Sequence, residues 1–240
     1  KMSKDKLSKD VLAVISPPIW NSYHYVSTLT RKAYEAVIPS LLEPGKRYNI
    51  LDYGCGARPY EHLFEGFVDK YTGVDVGDNP HADLKIQPGE RLNFEDNTFD
   101  FVLSSQVLEH VKDVDQYMEE CRRLLKPGGV LLLSTHGTWQ FHASPYDYNR
   151  WTCMGLQYLI ERSGFEVIDY KPILGQLAVT SQLRLSFFDS FANMIGTAGR
   201  ILLAPVAILY QFKMMIEDAI TPARVKKRDS AIFLFIAKKK

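Results

Sequence analysis

Two stretches of this 240-residue chain hold residue types that do chemistry. In the first, Asp52 stands two residues ahead of Gly54-Cys55-Gly56, and Asp75 lies 23 residues beyond Asp52. A Gly-x-Gly turn lets backbone amides approach a ligand closely, and the helix expected to follow it turns amino-terminal N–H groups toward negative atoms. Asp52 alters what such a turn can hold, because a pyrophosphate would be repelled there and a ligand bearing cationic groups attracted. The third glycine of a dinucleotide fingerprint is due at position 59, which is Pro59. Asp75 sits where a carboxylate closing a second strand accepts both hydroxyls of a ribose.

The second stretch runs from Thr135 to Thr152 and crowds His136, His142, Asp147, Arg150, Tyr146, Tyr148, Trp139 and Trp151 into one connection. Ordinary connections are about four to six residues long. Neutral histidine takes a proton near pH 7, so His142 and His136 are candidate general bases, with Asp147 as orienter or alternative base. Tyr146, Arg150 and Trp151 are candidate acceptor contacts. Two readings stand side by side: a wall of an acceptor pocket, or a self-contained loop in which Asp147 pairs with Arg150 and the rings bury. No metal site is expected.

Both stretches need a scaffold that brings strand ends together. Short apolar runs at Tyr48–Asp52, Lys70–Val76, Phe99–Ser104, Val130–Ser134 and Phe165–Tyr170 read as strands, with a weaker one near Asp83–Ile86 and a last one at Ser230–Ala237. Helical spacing fills Trp20–Leu42, Asp113–Leu125 and Met154–Ser163 between them. Alternating strands and helices predict an α/β, Rossmann-like fold with a mostly parallel sheet and helices on both faces. One domain over 1–240 is expected, with a helical cap at 19–43, a core at 48–170, a helical insertion at 175–228 and a last strand at 230–238. Within the insertion, Arg200 and Lys213 bound about twelve apolar residues with Pro205 among them, short of the roughly twenty of a spanning helix. A packed helix, a homodimer surface through 183–220 and an interfacial membrane contact remain the readings of that segment. Near the amino end, Tyr23, His24 and Tyr25 belong either to a lid or to a packed helix.

Composition narrows the classes. Hydrophobic residues make up 46% of the chain, enough for a filled core, which excludes a disordered or collagen-like polymer. With 29 basic and 28 acidic residues there is no general charge for nucleic acid, and no nucleic-acid partner is expected. Cys55, Cys121 and Cys153 form no CxxC pair and suit a reducing compartment. The charged start, Lys1–Asp10, lacks a signal peptide's apolar run, so a cytoplasmic protein, peripheral to a membrane at most, is the expectation.

At this point the ordered segments Asn49–Gly56, Gly73-Val74-Asp75, Leu92–Asp100, Val107–His110 and Leu124–Gly129 together resemble the motifs of class I S-adenosylmethionine-dependent methyltransferases, most nearly the type 11 branch. The resemblance implies a seven-stranded sheet whose last strand is antiparallel, here with its terminal hairpin interrupted by the insertion. It implies S-adenosylmethionine as methyl donor, with Asp52 and the Gly54-Cys55-Gly56 turn on the methionine part and Asp75 on the ribose. Val76 and the Gly89–Leu92 segment, Leu92 included, would face the adenine, and Ser105 and Gln106 the methionine moiety. The His-x-x-Pro-Tyr-Asp-Tyr-x-Arg-Trp-Thr loop resembles a subgroup associated with bacterial glycan and cell-envelope pathways. Small-molecule, glycan and lipid-linked acceptors follow as candidates, with oxygen favoured as the methylated atom. Two positions depart from the pattern: Arg58 stands where many relatives have a third glycine, and Pro88 where many have an acid for the adenine amino group. Glu109-His110 reads either as an acid–base pair or as structural support. A donor-binding scaffold without turnover, and an NAD-dependent oxidoreductase, are the competing readings.

Overall fold

Seven strands make one sheet in the order β3-β2-β1-β4-β5-β7-β6. They are β1 (Tyr48–Tyr53), β2 (Val68–Val76), β3 (Leu84–Ile86), β4 (Phe99–Ser105), β5 (Leu125–His136), β6 (Phe165–Gly175) and β7 (Ser230–Lys239). This computed structural model describes residues 7–240, so the first six residues of the charged start lie outside the described residues. β7 runs antiparallel between β5 and β6, while β1 to β5 pair parallel along the sheet. The unbroken apolar runs have a direct cause: both faces of the sheet are covered, so alternate residues bury on opposite sides. Ile50, Phe101, Leu103, Leu132 and Leu234 point to one core, and Leu51, Val102, Leu131, Leu133 and Phe235 to the other.

The helices divide between those cores. The face shared by Ile50 and Leu132 is covered by α1 (Lys9–Ile15), α2 (His24–Leu41), α5 (Gln176–Ile195) and α6 (Thr197–Ile220). The opposite face carries α3 (Val114–Leu124) and α4 (Cys153–Arg162), followed in sequence much later by the short α7 (Ala223–Arg228). Side-chain caps begin α3 and α4: Asp113 accepts the Gln116 N–H at 3.0 Å and Thr152 accepts the Gly155 N–H at 3.0 Å. Chain order places β2 and β3 on one side of β1 and β4 and β5 on the other, so strand order reverses between β1 and β4. Ligands of open α/β sheets bind at the carboxyl ends of strands at that reversal.

Three sequence expectations are corrected. No α-helix follows the glycine turn; a 3₁₀ turn at Glu61–Phe64 stands there instead, and Tyr60 just before it stacks on Tyr34 of α2 with ring centroids 3.8 Å apart. β5 begins at Leu125, well ahead of the strand expected at Val130–Ser134 and at the residue expected to close the preceding helix. The apolar run at Ile201–Tyr210 is part of a 24-residue helix that continues through Pro205, so by length and composition α6 could cross a bilayer. Its polar anchors oppose that: Gln211 Oε1 accepts the Tyr25 N–H at 3.0 Å, and Asp218 accepts the Gly175 N–H at 2.8 Å and pairs with Lys226 at 2.8 Å. The segment with Tyr23, His24 and Tyr25 is thus packed as the start of α2 against α6.

Candidate functional site

A cavity of about 840 Å³ opens at the carboxyl ends of β1, β2 and β4. Gly54, Gly56, Asp75, Val76, Ser105 and Gln106 line it, as do Pro88, Gly89, His110, Tyr146 and Tyr148. Gly54 holds φ +85°, and a Cβ there would run into Val107, so the turn fits only without a side chain. Asp75 braces the turn, accepting the Gly56 N–H at 2.9 Å and the Asn79 amide at 2.5 Å. Val76 is an apolar side chain left partly exposed at the cavity edge.

Arg58 explains how the turn leaves without a third glycine. It adopts φ +54°, the left-handed backbone a glycine would take, and its guanidinium ion-pairs with Asp83 and lies over the Tyr71 ring at 5.9 Å. Gly73 leaves the room for it, since a Cβ there would sit 2.8 Å from Arg58 Nε. Asp83 also accepts the Gly73 N–H at 2.8 Å, so it is committed to the turn and not to a ligand.

Three expected contacts lie behind the wall. Asp52 is buried, with its carboxylate accepting the Tyr71 hydroxyl at 2.6 Å. Burial pushes its pKa up to about 7, against the opposing pulls of Tyr71 and Arg58. Cys55 is buried beside the turn, and burial raises its thiol pKa to about 12, which makes it an inert neighbour. Leu92 packs into the core with Phe99 and Met118, while Gly89, Glu90 and Arg91 of its segment reach the cavity.

Gln106 stands in the left-handed region at φ +58°. Its N–H is held by the Ser134 carbonyl at 2.9 Å and its amide donates to Ser134 Oγ at 2.8 Å. The same hydroxyl accepts from Tyr34 at 2.9 Å. Gln106 Oε1 is then a buried acceptor with no protein partner at the cavity wall. An orphaned acceptor beside a glycine turn and two carboxylates fits a cationic ligand better than an anionic one.

The Thr135–Thr152 loop combines both of its sequence readings. Arg150 grips Asp147 through both guanidinium nitrogens at 2.5 and 2.6 Å and also holds the carbonyls of Trp139, Asn149 and Gln140. That grip, together with the His142 N–H, holds the Asp147 carboxyl down at about 2. Trp151 turns inward against the α3–α4 core, and its backbone N–H bonds the His136 carbonyl at 3.1 Å. Phe141, Tyr146 and Tyr148 stay exposed, and the last two join the cavity wall.

His136 and His142 meet Glu109 and His110, a convergence that sequence spacing did not reveal. Glu109 is fully buried in the turn after β4; its Oε2 accepts the Thr135 hydroxyl at 2.8 Å, and its Oε1 lies 2.8 Å from His136 Nδ1. Burial alone would raise the Glu109 pKa, but His136 and Thr135 outweigh it and hold it below the usual range. His136 stacks on Trp139 at 5.0 Å, and His142 stands edge-on to His136 at 4.9 Å and to His110 at 5.0 Å. Burial and the two neighbouring imidazoles lower the pKa of His142, favouring its neutral form. His110 Nδ1 faces the Tyr146 carbonyl at 2.5 Å; a carbonyl only accepts, so Nδ1 bears the proton and Nε2 is free to take one. The available signal was topological: β4 and β5 are neighbours, so residues just past each strand share one end of the sheet.

Residues 24–169 match the profile of a family described as "Methyltransferase domain". The chain is 28% identical over 153 residues to a Mycolicibacterium smegmatis protein named "Probable S-adenosylmethionine-dependent methyltransferase", covering 58% of this chain and 60% of that one. It is 32% identical over 111 residues to the ubiquinone biosynthesis O-methyltransferase of a Chelativorans species, covering 40% of this chain and 44% of that one. The chain thus spans roughly half the length of these curated relatives. The solved phosphoethanolamine N-methyltransferase 2 of Haemonchus contortus, in complex with S-adenosyl-L-methionine, shares the fold at a TM-score of 0.56 and 17% identity, over 99% of this chain and 61% of that one. Seven strands in this order with an antiparallel β7, a cavity at the strand reversal suited to a cation, and a family profile covering more than half the sequence lead to one conclusion: the chain belongs to the class I S-adenosylmethionine-dependent methyltransferase-domain family.

Proposed function

We propose that this chain transfers the methyl group of S-adenosylmethionine to an oxygen of a lipid-linked acceptor. Bound, the donor supplies an electrophilic methyl on a positive sulfur. On the protein side, Asp75 and Val76 hold the ribose and adenine, and the glycine turn, Gln106 Oε1 and the field of Asp52 hold the methionine part. The family requires no more of the protein than positioning of donor and acceptor in a dry site. An oxygen acceptor adds the need to remove a proton, and the observation that carries this reading is the Glu109–His136–His142–His110 group beside the cavity. His110 lines the cavity and is the base in reach, with His142 edge-on behind it; Asp147, locked by Arg150, positions the loop. Tyr146 is the contact of the three originally named that faces the cavity.

The lipid-linked acceptor is favoured by the α5–α6 hairpin. Phe187, Phe191 and Met194 on α5, and Leu202, Leu209, Phe212 and Ile216 on α6, are all exposed. An apolar surface of that kind marks an interaction face, and a helix pair lying along a bilayer interface would use it. The loop meets the start of α2, where the Tyr23 hydroxyl accepts from Gln140 at 3.3 Å beside Trp139, and α2 in turn meets α6 through the Tyr25 N–H on Gln211. The loop pattern supports placement in the envelope-associated subgroup of the type 11 branch.

Incubation with radiolabelled donor and a cell extract, divided into organic and aqueous phases, tests the reading. Label is expected in an organic-phase product as a base-stable ether. Transfer only to aqueous compounds would remove the lipid part; donor binding without transfer would support a scaffold; binding of NADH but not of the donor or its demethylated product would support an oxidoreductase. Asp75→Ala is expected to weaken donor affinity by about 1–3 kcal/mol, the range for a lost hydrogen bond to a charged group, in titration calorimetry. An unchanged dissociation constant would take Asp75 out of the donor site.

A further inference from the structure

No metal is expected from residue spacing, yet Glu109, His136 and His142 bring one ligand atom each within 4.8 Å of the other two. Their partners do not account for them. Glu109 Oε1, His136 Nδ1 and His142 Nδ1 are all buried atoms without a hydrogen-bond partner. The Glu109 and His136 side chains are 0% and 5% exposed, so water does not satisfy them in bulk. The 2.8 Å approach of Oε1 to Nδ1 is at ion-pair distance, but neither atom gains a hydrogen bond of proper direction from it. Three unsatisfied donors of electron pairs converging in a buried place are costly unless something cationic completes them.

We propose that Glu109, His136 and His142 form a binding site for one divalent first-row cation, Zn²⁺ by the chemistry of its ligands. Two imidazoles and a carboxylate suit zinc, and three protein ligands with one open position are the arrangement of a catalytic site rather than a structural one. Tetrahedral coordination at about 2.0–2.2 Å places ligand atoms roughly 3.3 Å apart, so the 2.8 Å pair opens, and the other separations, at most 4.8 Å, adjust around the ion. An outer shell is already built. Thr135 donates to the second oxygen of Glu109, and the Tyr148 and Asn149 N–H groups fix the Glu109 carbonyl at 2.8 and 3.1 Å. Trp139 stacks on His136 and fixes its ring plane. Asp147, 3.7 Å from His142 Nδ1, is held by Arg150 and stays out of the ligand set.

The open position would face His110 and the cavity, and its use rests on the methyl-transfer reading above. An acceptor hydroxyl held there would be acidified by the cation and would release its proton to solvent. A lone pair of the resulting oxyanion forms the O–C bond to the methyl as the C–S bond breaks, and that bond's electron pair stays on sulfur, which becomes neutral. The cation remains divalent throughout and no oxidant is needed.

The test needs neither donor nor acceptor. Chelator-treated full chain is titrated with Zn²⁺ in a calorimeter and, separately, with Co²⁺ while its visible absorption is recorded. The expected result is one ion per chain, with at least a tenfold loss of affinity in both His142→Ala and Glu109→Gln. Should Glu109→Gln fail to fold, His142→Ala decides, because its side chain is in a partly exposed loop and is 34% accessible. Donor affinity, measured in parallel, is expected to be unchanged in His142→Ala, so loss of metal binding and failure of the methyl-transfer reading are told apart. Absence of stoichiometric binding, or binding that neither substitution weakens, overturns the proposal and leaves Glu109–His136 as an ion pair only.

Discussion

Gly54→Ala is expected to cost about 2–4 kcal/mol of stability, from left-handed strain on a residue with a Cβ and from overpacking against a neighbour. The two contributions have separate sources. At φ +85° only glycine is unstrained, and the added methyl would press on both methyls of Val107. Valine is stiff at χ1 and cannot swing aside as a longer chain could. Val107 also lines the cavity next to Gln106, so the relief available to the backbone moves the donor wall. Thermal denaturation should show the loss, and titration with S-adenosylhomocysteine should show affinity falling at least tenfold. A variant with wild-type melting and wild-type affinity would mean that the turn relaxes at no cost and that its tight approach is irrelevant.

Asp147→Ala is expected to lower stability by about 2–3 kcal/mol, below the 3–5 kcal/mol typical of a broken buried pair because Arg150 is partly exposed and keeps three carbonyl partners. The carboxylate also caps the His142 N–H at 2.8 Å, so its removal frees the segment that carries His142. Turnover should fall at least tenfold while donor affinity stays within twofold, since Asp147 does not line the cavity. The wild-type contribution depends on pH in a definite direction. A carboxyl with its folded pKa depressed to about 2 stabilises fully above the ordinary carboxylate pKa and loses that contribution as pH falls toward 2. The melting difference between the two proteins should therefore be constant above pH 5 and shrink below it. A difference that persisted at pH 2 would assign the effect to packing.

Much of this architecture was readable before any coordinates. The apolar runs named seven strands because parallel strands buried on both faces cannot alternate, and the last strand and its long insertion were recognisable by spacing. The short Leu84–Ile86 strand sits where the weakest signal lay. What escaped had physical reasons. Eleven residues after Gly56 look long enough for a helix, but Pro59 and Gly66 break the register, and Tyr34 of α2 fills the place against Tyr60. Arg200 and Lys213 were read as the bounds of a short apolar run around Pro205, although the helix anchored by Gln211 and Asp218 runs past both charges and through the proline. On the donor side, Asp75 reaches the cavity as spacing suggests, and Val76, Ser105 and Gln106 reach it as the family resemblance implies, because strand ends fix them. Asp52 lies in β1 with its carboxylate turned to Tyr71, whereas Cys55 and Leu92 lie in the connections after β1 and β3, where strand alternation does not set a side chain's direction. Glu109 and His110 were recognised only as a pair, since their joining to His136 and His142 depends on which strands lie side by side.

Asp52 gives the ligand-free protein an electrical asymmetry. Its folded carboxyl keeps a proton up to about pH 7, whereas an unfolded one releases it near the ordinary carboxylate pKa of about 3.9. The native state therefore binds more protons across that interval, and stability declines as pH climbs through it. At neutrality a fraction of the Asp52 carboxyl is ionised behind the cavity wall, its charge met only in part by the Tyr71 hydroxyl and the Arg58 guanidinium. On the donor-site reading proposed above, a cation bound near Asp52 would favour its ionised form and release a proton, and the demethylated product, one positive charge poorer, would release less.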